Sequence, residues 1–176
     1  NTYPGAAIFA EEDYSPYALQ RDSAIQKCLP LSLVTGAVMQ QPQLIAKKDG
    51  TPYTVFTPFS KTWKALPAPR PPLAAPAHLP PLPSAIHSLA LPPINKPNPL
   101  FPAGEKEAVQ RLELFSQSAI FDYSTGRNRL DWEGTSSLSP YLRFGMLSAT
   151  QAYAAARQAL NRTEQPAQRQ AVETWI

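Results

Sequence analysis

The sequence predicts three consecutive parts: a partial Rossmann-like α/β domain, a proline-rich linker and the first part of an all-α domain. Over residues 1–66, short apolar runs of strand character alternate with stretches of helical periodicity, as in an α/β layer. Of the 21 prolines, 13 lie within residues 67–102. Residues 103–176 carry helical periodicity only. We therefore place the boundaries at 66/67 and 102/103.

The first strand, helix and second strand form a predicted β-α-β unit. The apolar run of residues 6–10 predicts a buried strand. Ser15 and Pro16 are a helix N-cap and a first helical residue, and Pro30 stops the helix that they open. Residues 31–35 predict the second strand. This part is too short for a full doubly wound sheet, so we expect a further β-α-β unit upstream.

Two more elements complete the α/β part. Residues 53–56 are rich in residues that favour strands. Thr57 and Pro58 then have the pattern of an N-cap followed by a first helical proline, which predicts a short helix through Leu66.

The linker has a composition that excludes regular structure. Its 36 residues contain no glycine and two charges, Arg70 and Lys96. Proline lacks an N–H donor and fixes φ, which excludes helix and central strand. Leucine and isoleucine recur along it, so we predict an ordered connector that buries them on a domain surface. A second interpretation is that Arg70-Pro71-Pro72 with Pro76 resembles a ligand for domains that grip polyproline II helices.

The helical part contains three predicted helices. Residues 105–121 place an apolar face at helical spacing, with Glu105 and Glu107 in the first turn. Ser148 and Gln151 form a capping box that opens a helix through Leu160. Residues 166–176 predict a third helix with Ala171, Val172 and Trp175 on one side.

The composition excludes several classes of protein. Hydrophobic residues make up 43% of the 176 residues and charged residues 16%, so the chain is no disordered polyelectrolyte. No apolar run reaches the roughly 18 residues of a membrane span, and residues 1–10 lack the pattern of a signal peptide. We expect a cytoplasmic protein that has no membrane partner. The net charge of +3 identifies no partner.

Thiol chemistry and a metal site are not predicted. Cys28 shares a helix face with Ile25 and Leu29, which favours a buried, inert thiol. His78 and His87 both lie in the linker without a third ligand at suitable spacing.

A run of hydroxyl side chains precedes a helix signal in the last part. Thr135, Ser136, Ser137 and Ser139 come directly before Pro140. Hydroxyls and backbone N–H groups that converge at a helix start can hold a phosphate. Serine and threonine caps are common, however, so the residue types alone favour an ordinary cap over a phosphate site.

Residues 134–148, GTSSLSPYLRFGMLS, closely resemble the flavin-binding signature of the DNA photolyase and cryptochrome family. Residues 12–22 and 49–59 resemble its α/β antenna domain, and residues 172–176 resemble the start of its next helix. The likeness covers nearly the whole chain, follows the order of the family, and is to class I deoxyribodipyrimidine photolyases.

The resemblance assigns each part a role. Residues 1–66 match the C-terminal part of the antenna domain, residues 67–102 the interdomain linker, and residues 103–176 the N-terminal part of the FAD-binding domain. It implies that Arg127 contacts DNA. The positions that match flavin contacts are Tyr123, Thr135, Ser136, Ser137, Leu138, Ser139 and Trp175.

One departure concerns the antenna pigment. Folate-type members usually carry Asn before the acidic turn, where this chain has Glu11. A carboxylate cannot donate the hydrogen bond that an amide donates. The sequence therefore leaves the identity of the pigment open, with methenyltetrahydrofolate and 8-hydroxy-5-deazaflavin as the two candidates. Glu11 and Glu12 are its candidate contacts.

The resemblance implies light-driven repair of cyclobutane pyrimidine dimers in UV-damaged DNA by electron transfer from reduced FAD. The alternative is a cryptochrome-type blue-light photoreceptor without repair activity. Family chains are more than twice as long, so we expect an internal fragment that is inactive in isolation and requires the remaining polypeptide as its partner. No catalytic side chain and no metal ligand is assigned.

Overall fold

The computed structural model describes residues 6–36, 38–81, 89–93 and 98–176. These residues divide into two compact units. The first contains the described residues up to Arg70 together with Ser148–Thr150, and the second contains Pro71–Leu147 and Gln151–Ile176. The first has a small parallel sheet with helices and the second is helical, as the sequence predicts.

The first unit begins with the predicted β-α-β arrangement. Strand β1 (Ile8–Glu11) pairs in parallel with β2 (Leu31–Val34), and helix α1 (Pro16–Gln26) connects them. Ile8 lies opposite Leu31, and Glu11 lies opposite Val34. The Ser15 hydroxyl caps α1 by accepting a hydrogen bond from the Ala18 amide at 3.4 Å. The N-cap prediction is confirmed.

Two predictions of burial in this unit are wrong. Phe9 of β1 is 68% exposed, because a two-stranded sheet covers little of its own faces. Cys28 is exposed. Helix α1 ends at Gln26, so Cys28 lies in the turn beyond it, where the helical spacing that would align it with Ile25 no longer applies.

The predicted strand over residues 53–56 is also wrong. Helix α2 (Phe56–Ala65) begins one residue before Thr57, with Val55 as its N-cap. Pro58 is tolerated there because the first-turn N–H groups of a helix have no intrahelical acceptor. Upstream, a 3₁₀ turn (Pro42–Ile45) precedes an isolated bridge between Ala46 and Pro52.

The linker has no helix or strand in its described residues, as predicted. The predicted burial of its leucines is wrong where they are described, since their exposure runs from 72% to 96%. An extended chain turns successive side chains to different sides and gives them no common face. These residues are Leu73, Leu79, Leu89, Leu91 and Leu100. The predictions for Leu82, Ile86, His87 and Ile94 fall outside the described residues.

The second unit contains five helices in its described residues, with a 3₁₀ turn (Ala119–Asp122) between the first two. They are α3 (Glu105–Gln117), α4 (Tyr123–Gly126), α5 (Ser139–Arg143), α6 (Ala149–Asn161) and α7 (Pro166–Trp175). The helix predicted through residue 121 ends earlier, at Gln117, with Ser118 as its C-cap. The Ser116 and Ser118 hydroxyls donate to the carbonyls of Glu113 and Leu114, and such bonds compete with the helical ladder.

Two hydrophobic clusters form the core of the second unit, and Trp175 packs against both. One contains Leu112, Leu138 and Tyr141, and the other contains Phe115 and Val172. The α3 face predicted from helical spacing is buried at Ala108, Leu112 and Phe115. The core therefore fixes α3, α5 and α7 around the segment that carries the hydroxyl run.

We expect Tyr141→Phe to lower the free energy of unfolding by about 1 kcal/mol, because its hydroxyl donates to the Pro102 carbonyl at 3.0 Å. Chemical denaturation of the protein measures this. Tyr17→Phe is the control, since the Tyr17 ring is 73% exposed. An unchanged value for Tyr141→Phe would mean that this bond adds nothing to stability.

Candidate functional site

The hydroxyl run lies in the irregular segment that follows α4 and ends at Ser139, the first residue of α5, and we call it the hydroxyl loop (residues 135–139). Leu138 anchors it, with 2% of its surface exposed. Within the described residues, none of its four hydroxyls and none of the amides of residues 135–138 makes an intramolecular hydrogen bond. Ser137 has a φ of 51°, a left-handed conformation that is uncommon for serine. The loop therefore presents several donors that nothing in the described chain satisfies.

Two glycines set the position of this loop. A Cβ on Gly134 would lie 2.5 Å from the carbonyl carbon of Gly126, and a Cβ on Gly126 would lie 3.2 Å from the Gly134 Cα. Backbone meets backbone at this point, so no side chain fits between the end of α4 and the start of the hydroxyl loop. The contact requires glycine for close approach rather than for a positive φ.

The hydroxyl loop and α3 border a cleft of about 550 Å³. Thr135, Ser136 and Ser137 line one side, together with Trp132 and Glu133. The α3 side and the turn after it contribute Glu107, Gln110, Arg111, Leu114, Phe115, Ser118 and Ala119. The structure thus brings three of the predicted flavin contacts into one concave surface, whereas Ser139 and the buried Leu138 do not line it.

Arg111 is the most connected charge at this cleft. Its guanidinium pairs with Glu107 at 3.0 Å and donates to the Leu100 carbonyl at 2.7 Å. It also lies 5.4 Å from the ring centre of Phe101 and 5.6 Å from that of Tyr141, within cation–π range. Arg111 therefore neutralises one acid of the cleft and holds the end of the linker against α3.

The other two predicted flavin contacts, Tyr123 and Trp175, both pack against Phe115. The Tyr123 ring meets Phe115 edge-on at 6.1 Å, and the Trp175 ring lies 5.4 Å from it. Both side chains are half-buried. Since Phe115 also lines the cleft, this aromatic group packs behind the cleft.

Arg127 lies directly after α4 and is exposed. Its guanidinium lies 5.9 Å from the Tyr123 ring centre and makes no ion pair with any described residue. Arg129, by contrast, pairs with Asp131. The hydrogen bond between them lowers the pKa of Asp131 and raises that of Arg129. Arg127 is thus the freer cation of the two.

Glu11 and Glu12 lie at the carboxyl end of β1, a usual position for ligand contacts in parallel sheets. The Glu12 carboxylate accepts hydrogen bonds from the Tyr14 hydroxyl at 2.7 Å and from the Thr35 hydroxyl at 3.2 Å. Burial raises the pKa of Tyr14, and the bond to Glu12 acts in the same direction. The Glu11 side chain lies beside Gly36 at the end of β2.

Sequence reasoning missed Gly126, Arg111 and Trp132 at this site. The contact of Gly126 with Gly134 and the position of Arg111 depend on how distant segments meet. Trp132 carried a signal, because an aromatic residue beside two arginines and a hydroxyl run is uncommon on a loop.

A family model described as "DNA photolyase" matches residues 2–78. A deoxyribodipyrimidine photo-lyase of Synechococcus sp. PCC 6301 is 33% identical over 96% of this chain. An uncharacterised 31.6 kDa protein of Synechococcus sp. PCC 6716 is 32% identical over 99% of it. The chain is thus similar to the DNA photolyase family along nearly its whole length.

The match to a solved structure agrees with this. A bacterial class III photolyase from Agrobacterium tumefaciens superposes on 96% of the chain with a TM-score of 0.72 and 24% identity, which shows a photolyase fold. The chain covers 39% of that structure, 38% of the PCC 6301 photo-lyase and 65% of the PCC 6716 protein. It therefore spans only part of the length of its photolyase relatives.

Two searches for other kinds of site found nothing in the described residues. No helix there is long and apolar enough to cross a membrane. No group of three or more His, Cys, Asp or Glu side chains is placed to hold a metal ion.

The donors of the hydroxyl loop fit the polar part of a flavin nucleotide. A pyrophosphate accepts hydrogen bonds from backbone amides and hydroxyls, and residues 135–137 offer both at the edge of the cleft. The Glu107 carboxylate is paired with Arg111, which reduces its repulsion of an anion. The residues present therefore fit the group that the photolyase family implies.

We expect Gly134→Ala to lower the free energy of unfolding by about 2 kcal/mol, since its Cβ would overlap the backbone of Gly126. Gly145→Ala is the control: Gly145 has a φ of 68° but open space around its Cβ position, so it should cost only about 1 kcal/mol. Chemical denaturation of both variants shows whether the close backbone contact at Gly134 costs more stability than the positive φ at Gly145. A larger loss in Gly145→Ala would contradict the packing argument.

Proposed function

We propose that this chain is part of a deoxyribodipyrimidine photo-lyase that repairs cyclobutane pyrimidine dimers in DNA with light and reduced FAD. The observation that carries the proposal is the hydroxyl loop, whose free amides and hydroxyls border a cleft in a chain that is similar to the photolyase family. Relatives named deoxyribodipyrimidine photo-lyase, at 31–33% identity over most of the chain, support the activity.

In this proposal the hydroxyl loop holds the flavin pyrophosphate. The hydroxyls of Thr135, Ser136 and Ser137 and the amides of residues 135–138 donate hydrogen bonds to its oxygens. Leu138 and Ser139 contribute through their backbone and through the start of α5. Phe115 supplies the aromatic part of the wall, and Tyr123 and Trp175 pack against its ring.

Bound there, reduced FAD would supply the light-driven electron that splits the dimer. The protein then needs to position the cofactor and exclude water, and no acid–base pair of this chain is required. Arg127 contributes to the DNA side, where its unpaired guanidinium pairs with a phosphate.

A second, light-collecting chromophore is proposed at the carboxyl ends of β1 and β2. Glu12 already accepts two hydrogen bonds, so Glu11 is the freer contact. Methenyltetrahydrofolate and 8-hydroxy-5-deazaflavin are the two candidates, and the absorption spectrum of the purified holoprotein distinguishes them.

We expect the double variant Thr135→Val, Ser136→Ala to remain folded and to lose flavin at least tenfold more readily, because two donors at the cleft are removed. Flavin absorbance after gel filtration and dimer repair under illumination are measured together. The control is Ser23→Ala with Thr57→Val, two exposed hydroxyl residues of the first unit.

Two results would contradict the proposal. Full retention of flavin in the double variant would refute the role of the hydroxyl loop. Flavin binding without any dimer repair by the longer polypeptide that we expect to contain this chain would refute the photo-lyase activity and favour the photoreceptor.

We expect Arg127→Ala to weaken binding to damaged and undamaged DNA alike and to reduce the salt slope of binding by about one unit, since one phosphate contact is lost. Arg157→Ala, which removes an exposed arginine of α6, is the control for net charge. Binding is titrated at several salt concentrations. If both variants weakened DNA binding equally, Arg127 would act only through the net charge of the protein and not through a specific phosphate contact.

A further inference from the structure

Residues 126–134 form a loop closed at its base, which we call the glycine-closed loop. Its two ends are Gly126 and Gly134, whose backbones touch. Surface loops whose ends meet in this way are compact and often functional. Leu130 lies halfway between the two glycines and is 105% exposed, the highest value among the exposed large hydrophobic residues of the described chain.

The first half of this loop is held rigidly. The helical turn of α4 continues into it, because three successive amides donate to carbonyls three or four residues back. These bonds run from Arg127 to Tyr123 at 3.1 Å, from Asn128 to Thr125 at 3.1 Å and from Arg129 to Gly126 at 3.0 Å. Leu130 therefore projects from an ordered backbone.

Two arginines precede this apolar residue in the sequence, and both guanidinium groups lie over aromatic rings. The Arg127 guanidinium lies 5.9 Å from the Tyr123 ring centre, and that of Arg129 lies 4.7 Å from the Trp132 ring centre. Trp132 itself is 50% exposed. A single exposed leucine is common on protein surfaces. Leu130, however, is at the apex of a closed loop and close in sequence to Arg127, whose guanidinium makes no ion pair with a described residue and is available to a DNA phosphate.

We propose that Leu130 is an apolar wedge that enters the base stack of DNA at the lesion, while Arg127 contacts the adjacent phosphate. This inference rests on the proposed function, which supplies damaged DNA as the ligand. Leucine is among the side chains that proteins insert between base steps. The insertion costs least where pairing is already weakened, as it is at a damaged base.

The wedge also has a geometric consequence for the flavin cleft. Residues 131–134 lead directly from the apex into the hydroxyl loop, and Trp132 lines the cleft. A duplex opened by Leu130 would therefore lie beside the proposed cofactor site. A loop that only attracted phosphate would need Arg127 and no apolar apex.

The test measures binding of the flavin-loaded protein to three DNA probes. They are a duplex with one cyclobutane dimer, the same duplex undamaged, and a single strand with the dimer. 2-Aminopurine opposite the dimer reports unstacking. The variants are Leu130→Ala, Leu130→Met, which keeps the apolar bulk, and Leu73→Ala as a control at an equally exposed leucine of the linker.

We expect Leu130→Ala to weaken binding to the dimer duplex about tenfold and to reduce the 2-aminopurine signal. Its binding to the undamaged duplex and to the single strand should not change, because neither requires a stack to be opened. Leu130→Met and Leu73→Ala should behave like the unaltered protein. Flavin absorbance should be the same in all four.

Two results overturn the inference and separate it from the proposed function. If Leu130→Ala binds the dimer duplex as tightly as the unaltered protein, or loses the same factor on all three probes, Leu130 is no wedge although the photo-lyase proposal stands. If the unaltered protein shows no preference for dimer DNA, the proposed function fails and the wedge fails with it.

Discussion

The backbone contact between Gly126 and Gly134 determines where the polar groups of the candidate site lie. It closes the loop that carries Arg127, and it fixes the position of Gly134, the residue directly before the hydroxyl loop. Four and seven residues after Gly134, Leu138 and Tyr141 are buried in the core, so the hydroxyl loop is held at both ends. Between these anchors, the donors of residues 135–137 make no hydrogen bond with any described residue.

The free donors and the backbone of Ser137 have a common explanation. A loop selected only for stability would satisfy its amides internally and place glycine or asparagine at a φ of 51°. This loop does neither, and strained backbone is typical of sites where a ligand supplies the missing interactions. Packing of the surrounding core, in which Trp175 contacts both hydrophobic clusters, offsets the free energy that this strained backbone and these unsatisfied amides cost.

Local sequence signals predicted the elements whose cause is local. Ser15 caps α1, prolines start α1 and α7, and helical spacing identified the buried face of α3. The errors occur where the outcome depends on distant contacts or on an exact helix end. Cys28 lies beyond the last turn of α1, and residues 53–56 favour strands by type but pair with no strand among the described residues.

The candidate site was only partly predictable for the same reason. The hydroxyls of residues 135–139 are visible in the sequence, yet residue types alone favoured an ordinary cap, and only the family resemblance suggested flavin. The glycine contact and the position of Arg111 arise from tertiary packing. One glycine contact supports both the apex at Leu130 and the donors beside the cleft, so the proposed DNA contact and the proposed cofactor site would share one rigid base. The backbone contact between Gly126 and Gly134 would therefore set the position of a lesion relative to a bound flavin.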